Sequence, residues 1–271
     1  MSHNLLKGKK GIIFGALNEQ SLAWQTALKC HEEGAQIVLT NAPIALRMGE
    51  INKLADAIGA PVIGADVTKM EDLEALIDQS MDHFGGKIDF ILHSVGMSMN
   101  IRKGNPYTQL NHEWELKTLD ISAVSFHRVL QVAYEKDALN EWASVVALTY
   151  IAAQRVFPDY NEMADAKSLL ESIARSFGYH YGLKNKVRVN TISQSPTRTT
   201  AGSGVKGFDG FINFSEAMSP LGNASAEAFA GYCVTLFSDL TRYVTMQNLY
   251  HDGGYSSTGV TQSVVDKMAG Q

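Results

Sequence analysis

The chain has 271 residues, 45% of them hydrophobic and 19% charged, with 23 Lys plus Arg against 28 Asp plus Glu for a net charge of −5. This length and composition suit one large α/β domain with a full core and exclude general disorder. No basic surplus exists to neutralise a phosphate backbone or an anionic membrane surface, so nucleic acid is not expected as a partner.

Stretches free of Asp, Glu, Lys and Arg reach 13 residues (34–46, 142–154 and 253–265), short of the ~20 apolar residues of a membrane-spanning helix. The first ten residues, MSHNLLKGKK, hold neither an apolar signal core nor a small-residue cleavage site, so a cytoplasmic location is expected. Cys30 and Cys233 lie in apolar helical patterns without CxxC or a zinc-type His spacing. They read as reduced core thiols, and no metal site is expected.

In chain order, β-branched runs predict strands at 11–15, 36–40, 61–65, 88–94, 144–149, 187–192 and 246–251. Between them, helical patterns fall near 21–33, 46–58, 70–84, 109–135, 160–182 and 225–238. Such alternation is the mark of βαβ units. The expectation is α/β: a single doubly wound, Rossmann-type domain over 1–271, with a seven-stranded parallel sheet flanked by helices. One long irregular insertion, the Gly-rich 202–210, follows the sixth strand. Loops there border the ligand crevice, so a lid is expected over about 197–218, with a plain surface loop as the alternative.

The end of the first strand, Gly15, is followed by ALNEQ and then Ser21 and Leu22 at a helix start. A glycine lets backbone pass close to a pyrophosphate, and a serine at a helix N-terminus adds a hydroxyl to amides that favour an anion. The GxGxxG fingerprint is missing, however, and the same residues fit a turn glycine and a plain N-cap. After the second strand come Thr40, Asn41, Ala42 and Pro43, with neither the acid expected for NAD nor the base expected for NADP. Asp66 and Val67 follow the third strand, and Ser94, Val95 and Gly96 follow the fourth, all facing the expected crevice, with helix capping by Asp66 and a simple turn at Gly96 as the alternatives.

Thr149 to Lys167 leaves the fifth strand and enters a long helical pattern holding Tyr150, Tyr160 and Lys167. With Tyr160 near the helix start, Lys167 stands about −20° around the axis and ~10.5 Å along it, on the same face. In carbonyl reduction hydride reaches the same carbon whose oxygen is protonated, whereas conjugate reduction of an enoyl thioester forms its oxyanion two carbons beyond the hydride acceptor. A Y-x3-K pair spans only ~6 Å of helix; Y-x6-K lengthens it in the direction enoyl reduction needs.

These residues resemble the bacterial NADH-dependent enoyl-acyl-carrier-protein reductases, divergent members of the short-chain dehydrogenase superfamily. The likeness covers nearly the whole chain. It rests on Gly15-x5-Ser21, His93 to Gly96, Y-x9-Y-x6-K (Tyr150, Tyr160, Lys167), 187–199 and the late HDGG (His251 to Gly254). The resemblance implies NADH contacts from Gly15, Ser21, Leu22, Ala42, Asp66, Val67, Val95 and Lys167, and from Thr197, Arg198, Thr199, Thr200 and Ala201. NADPH stays open as an alternative. By the same resemblance Tyr160 stabilises the enolate, Lys167 holds the nicotinamide ribose, Tyr150 lines the substrate pocket and Ser98 touches substrate. An acyl-carrier-protein thioester as partner substrate and a homotetramer are further implications. Two departures stand out: Gln194-Ser195-Pro196 replaces a usual glycine before the proline, and Ala42 replaces a longer polar residue. The rival readings are a ketone or alcohol oxidoreductase, which requires Y-x3-K, and a cofactor-binding regulator without turnover.

Overall fold

The computed structural model describes residues 2–47, 50–199 and 207–270. Seven strands form one all-parallel sheet: β1 Lys10–Phe14, β2 Gln36–Asn41, β3 Val62–Gly64, β4 Ile88–His93, β5 Leu139–Thr149, β6 Arg188–Gln194 and β7 Asn248–His251. Their spatial order is β3-β2-β1-β4-β5-β6-β7, so the direction of winding reverses beside β1 and β4. Alternate strand residues enter opposite cores: Ile12 and Phe14 of β1 face one layer and Ile13 the other. This two-sided burial explains the continuous apolar runs of the central strands.

On one face lie α4 (Met70–Phe84), α7 (Ser125–Glu135) and α8 (Glu162–Asn185), which supply Leu73, Leu76, Phe126, Val129, Leu170 and Ile173. On the other lie α1 (Leu22–Glu32), α3 (Glu50–Ile58) and α10 (Ala226–Phe237), with Trp24, Leu54 and Phe229. Cys30 and Cys233 are buried, unbridged thiols in that second layer. Among the described residues no helix is long and apolar enough to cross a membrane.

All seven expected strands are present, and the departures have local causes. The fifth strand begins at Leu139, five residues early. Leu139 pairs with Ile88, then the register shifts so that Ser144 meets Phe90. The intervening Asn140, Glu141 and Trp142, with φ +63° at Trp142, carry no alternating apolar pattern. The expected helix over 46–58 is instead α2 (Pro43–Leu46) and α3. The pattern at 109–135 resolves into α6 (His112–Leu119), a π-helical segment Asp120–Val124, and α7.

Three short helices were not read from sequence: α5 (Met99–Lys103), α9 (Phe208–Met218) and α11 (Gln262–Met268). In α9 the apolar positions 208, 211, 212 and 218 have helical spacing, but Gly207 and Gly210 mask it. Gly202 and Gly204 of the expected lid lie outside the described residues.

Candidate active site

A cavity of about 420 Å³ opens at the carboxyl ends of β1, β4, β5 and β6, where a doubly wound sheet presents its loops to a ligand. At the β1 end, Gly15 has φ +90° and a Cβ built on it would lie 2.0 Å from the Ser94 carbonyl oxygen. Only glycine lets the ends of β1 and β4 approach this closely. Ser21 is the N-cap of α1 without a forward side-chain cap. Its Oγ instead accepts the N–H groups of Leu17 at 3.1 Å and Asn18 at 3.0 Å, shaping the turn. Ser21 and Leu22 line the cavity, so the N-terminus of an 11-residue helix borders it, an end that favours an anion.

In the centre stands Lys167, whose side chain is buried and whose Nζ donates to the Leu148 carbonyl at 2.7 Å. Burial lowers its pKa to about 8, against the opposing pull of the Glu171 charge. Glu171, one turn along α8, is anchored by Thr149 Oγ1 at 2.8 Å, Asn248 Nδ2 at 3.1 Å and Gln154 Nε2 at 3.3 Å. Tyr150 and Tyr160 both reach the cavity, their rings 5.1 Å apart. Burial pushes both phenols well above their ordinary pKa, so each is a neutral hydroxyl donor across the physiological range. Phe157 packs on Tyr150 at 5.2 Å and stacks on Phe211 of α9 at 5.3 Å, which makes α9 an apolar wall.

Tyr160 does not stand on the helix. α8 begins at Glu162, and Asn161 between them has φ +44°. The expected shared helical face is therefore corrected: Tyr160 enters from the preceding turn and Lys167 from the second turn of α8, and the two meet at the cavity.

Behind the site, Ser122 of the π-helical segment and Ser125, the first residue of α7, turn inward. Ser122 Oγ accepts the Met97 N–H at 3.0 Å. Ser125 donates to the Ile121 carbonyl at 2.6 Å, so His93 Nε2, 2.9 Å away, is the donor in that pair. Burial and the Lys167 charge hold His93 neutral, at a pKa of about 3.

These motifs lie in a chain whose residues 15–256 match the family described as enoyl-(acyl carrier protein) reductase. The chain belongs to that family. It is 34% identical over 258 residues to the enoyl-[acyl-carrier-protein] reductase [NADH] 1 of Rhizobium meliloti, covering 94% of this chain and 93% of that protein. It is similar to the crystal structure of the FabI–NADH complex from Alistipes finegoldii, with 64% identity, a TM-score of 0.95, and coverage of 96% and 92% of the two chains. The Bacillus cereus enoyl-acyl carrier protein reductase, solved with NADP+ and an indole naphthyridinone, matches at 31% identity and a TM-score of 0.88, covering 96% of this chain and all of that one (100%).

Of the residues expected from the likeness to enoyl-acyl-carrier-protein reductases, Gly15, Ser21, Leu22, Val95, Ser98, Tyr150, Tyr160, Lys167, Thr197 and Thr199 line the cavity. Ala42, Asp66, Val67 and Arg198 do not. Ala42 is the N-cap of α2 between two lining residues, Asn41 and Ala45. Asp66 accepts the N–H and hydroxyl of Thr68 at 3.0 and 2.7 Å, and Val67 is packed in the core. Arg198 is exposed and paired with Asp209. Thr200 and Ala201 lie outside the described residues.

Ser98 lines the wall, but its hydroxyl is committed to Glu162 at 2.6 Å. Gln194, within the departing Gln194-Ser195-Pro196 stretch, accepts from His251 Nδ1 at 2.7 Å and donates to the Ala224 carbonyl at 3.1 Å, tying the HDGG segment to β6. Sequence reasoning missed Leu17, Asn41, Met97, Arg102 and Met163 on the walls. For Asn41 and Met97 the signal was position alone, at or just past the carboxyl end of a parallel strand.

Proposed function

We propose that this chain reduces trans-2-enoyl thioesters of acyl carrier protein to saturated acyl thioesters with NADH, the last step of fatty-acid elongation. The observation that carries this reading is the convergence of Tyr150, Tyr160 and Lys167 on one cavity, with Tyr160 displaced from the lysine's helix by the Asn161 turn. Gly15, Ser21 and Leu22 suit the pyrophosphate end of a dinucleotide, and the Lys167 ammonium stands at the cavity wall, 3.9 Å from a Cβ built on Gly96 and so in ordinary van der Waals reach of it; the residues present fit the cofactor. Bound there, NADH supplies hydride to the β-carbon of the enoyl group.

In this reading the Tyr160 hydroxyl donates to the enolate oxygen, where preorganised donors stabilise developing charge most. Lys167 binds ribose hydroxyls with its ammonium, oriented by the Leu148 carbonyl. Tyr150, Phe157 and Phe211 exclude water from the acyl chain. The fold is one catalytic domain, with a cover over about 197–218 whose described parts are 197–199 and 207–218, the latter holding α9. The absence of a basic residue on Gln36–Leu46 favours NADH over NADPH. We further propose a cytoplasmic homotetramer. The measurement that tests the activity follows NADH consumption with an enoyl thioester and with a ketone side by side. Turnover of the ketone alone, or of neither, overturns the reading.

A further inference from the structure

The first turn of α8 carries a carboxylate for which the proposed reduction has no direct use. Glu162 is fully buried. Its Oε1 accepts from the Ser98 hydroxyl at 2.6 Å, Asn100 Nδ2 at 3.3 Å and the Thr118 hydroxyl at 3.0 Å. Ser98 Oγ also accepts the Ile101 N–H at 3.0 Å, capping α5, so its single proton is directed to the acid. Asn100 has its orientation settled by its neighbours: Oδ1 accepts from Asn111 N at 2.9 Å and Asn105 Nδ2 at 2.8 Å. Two more links join the same elements, Asn161 Nδ2 to the Asn105 carbonyl at 2.6 Å and the Tyr107 hydroxyl to Asp165 at 3.3 Å. The segment 98–118, which supplies the Ser98, Ile101 and Arg102 wall of the cavity, is thus hung on the turn that carries Tyr160.

Neutral donors surround this acid, and a buried carboxylate is unfavourable unless such donors are aimed at it. An apolar residue of similar volume would fill the space but leave the Ser98 hydroxyl without an acceptor, while the Thr118 hydroxyl and Asn100 Nδ2 would fall back on the Trp114 and Asn111 carbonyls at 2.9 and 3.1 Å. The arrangement therefore serves geometry better than stability. We propose that Glu162 is a positioning residue for the enoyl substrate, tying Ser98 and Asn100 to the Tyr160 turn and so setting the gap between the acyl-side wall and the Tyr160 hydroxyl. This rests on the enoyl reductase reading of the cavity.

Glu162→Leu and Glu162→Gln, assayed with NADH and trans-2-octenoyl coenzyme A, test it. For Glu162→Leu, kcat/KM for the thioester is expected to fall about tenfold or more through both a higher KM and a lower kcat, with Kd for NADH within about twofold of the parent. Glu162→Gln, whose amide oxygen can still accept from Ser98, Asn100 and Thr118 but whose NH2 would take the place of the unpartnered Oε2, is expected to recover part of the loss. Amide exchange gives a readout that needs no turnover: Glu162→Leu is expected to exchange faster across 98–111 while β4 and β5 keep their protection. If the parent protein itself does not reduce the thioester, the functional reading fails and the exchange result alone judges the clamp. Parent-like kinetics in Glu162→Leu, an equal loss of NADH affinity, or unchanged exchange across 98–111 overturns the proposal. Should Glu162→Leu not fold, Thr118→Val, which removes one donor away from the cavity lining, decides the matter: a raised KM supports the clamp and an unchanged KM sinks it.

Discussion

In the proposed reduction a hydroxyl and an ammonium divide the chemistry at the residue scale. Tyr160→Phe keeps the ring that packs on Tyr150 and removes only the donor, so kcat is expected to fall about 10²-fold or more while Kd for NADH stays put. Turnover at the parent rate would remove Tyr160 from the mechanism. Lys167→Met is expected to weaken NADH binding as well. Because burial sets the Lys167 pKa at about 8 against its ordinary 10.5, the ammonium is present below that value and lost above it. The kcat/KM for NADH, which reports groups of the free enzyme, is thus expected to decline through pH 8, and the limb to vanish in Lys167→Met. Stability moves the other way. Between about 8 and 10.5 the unfolded chain holds the proton that the folded chain has released, so this group makes folding more favourable as pH rises through that window. A pH profile of NADH kcat/KM that is flat from 7 to 9 would show that the Lys167 charge is not used.

Elements place those residues by close approach. β1 and β4 meet so tightly at Gly15 and Ser94 that Gly15→Ala must force a side chain into backbone at a positive φ. The combined overpacking and conformational cost is about 2–5 kcal/mol, measurable as a lower denaturant midpoint with an unchanged m-value. A midpoint equal to the parent's would mean that the strand ends separate freely. At the other end of the cavity, α9 presents Phe211 to Phe157 and leaves Phe214 half exposed. A thin aromatic wall of this kind gains buried apolar area only when an acyl chain lies beneath it, at ~25 cal/mol per Å². Amide exchange across 208–214 is therefore expected to slow on addition of NADH with a pocket-filling inhibitor. Full protection already in the free protein would identify α9 as a fixed wall.

For the whole molecule, the outer face of α8 matters most. Leu169, Tyr179 and Leu183 are 36%, 57% and 67% exposed and fall at i, i+10 and i+14, within about 80° of helical arc. Leu116 of α6, 67% exposed, lies on an element packed against α8. Exposed apolar stripes of this kind mark association surfaces, which supports the proposed homotetramer. Light scattering in line with gel filtration is expected to return four chains, and Leu183→Glu to reduce that number. A monomer at micromolar concentration would rule the assembly out.

Much of the architecture was legible in the sequence, since burial on both faces of a parallel sheet demands continuous β-branched runs, and helix-spaced apolar residues demand the layers that cover them. The seven strands, the crevice at their carboxyl ends and the trio of Tyr150, Tyr160 and Lys167 followed from those local patterns and from the family likeness they carry. What tertiary structure decided is less local. The start of β5 depends on Leu139 finding Ile88 across a bulge, and α9 forms despite Gly210 because Phe211 stacks on Phe157. Tyr160 sits off the helix because Asn161, at φ +44°, redirects the chain before α8 begins. The Glu162 network joins residues up to 64 positions apart, a pairing that no spacing along the chain encodes, because it exists only once α5 and α6 have been folded against the first turn of α8.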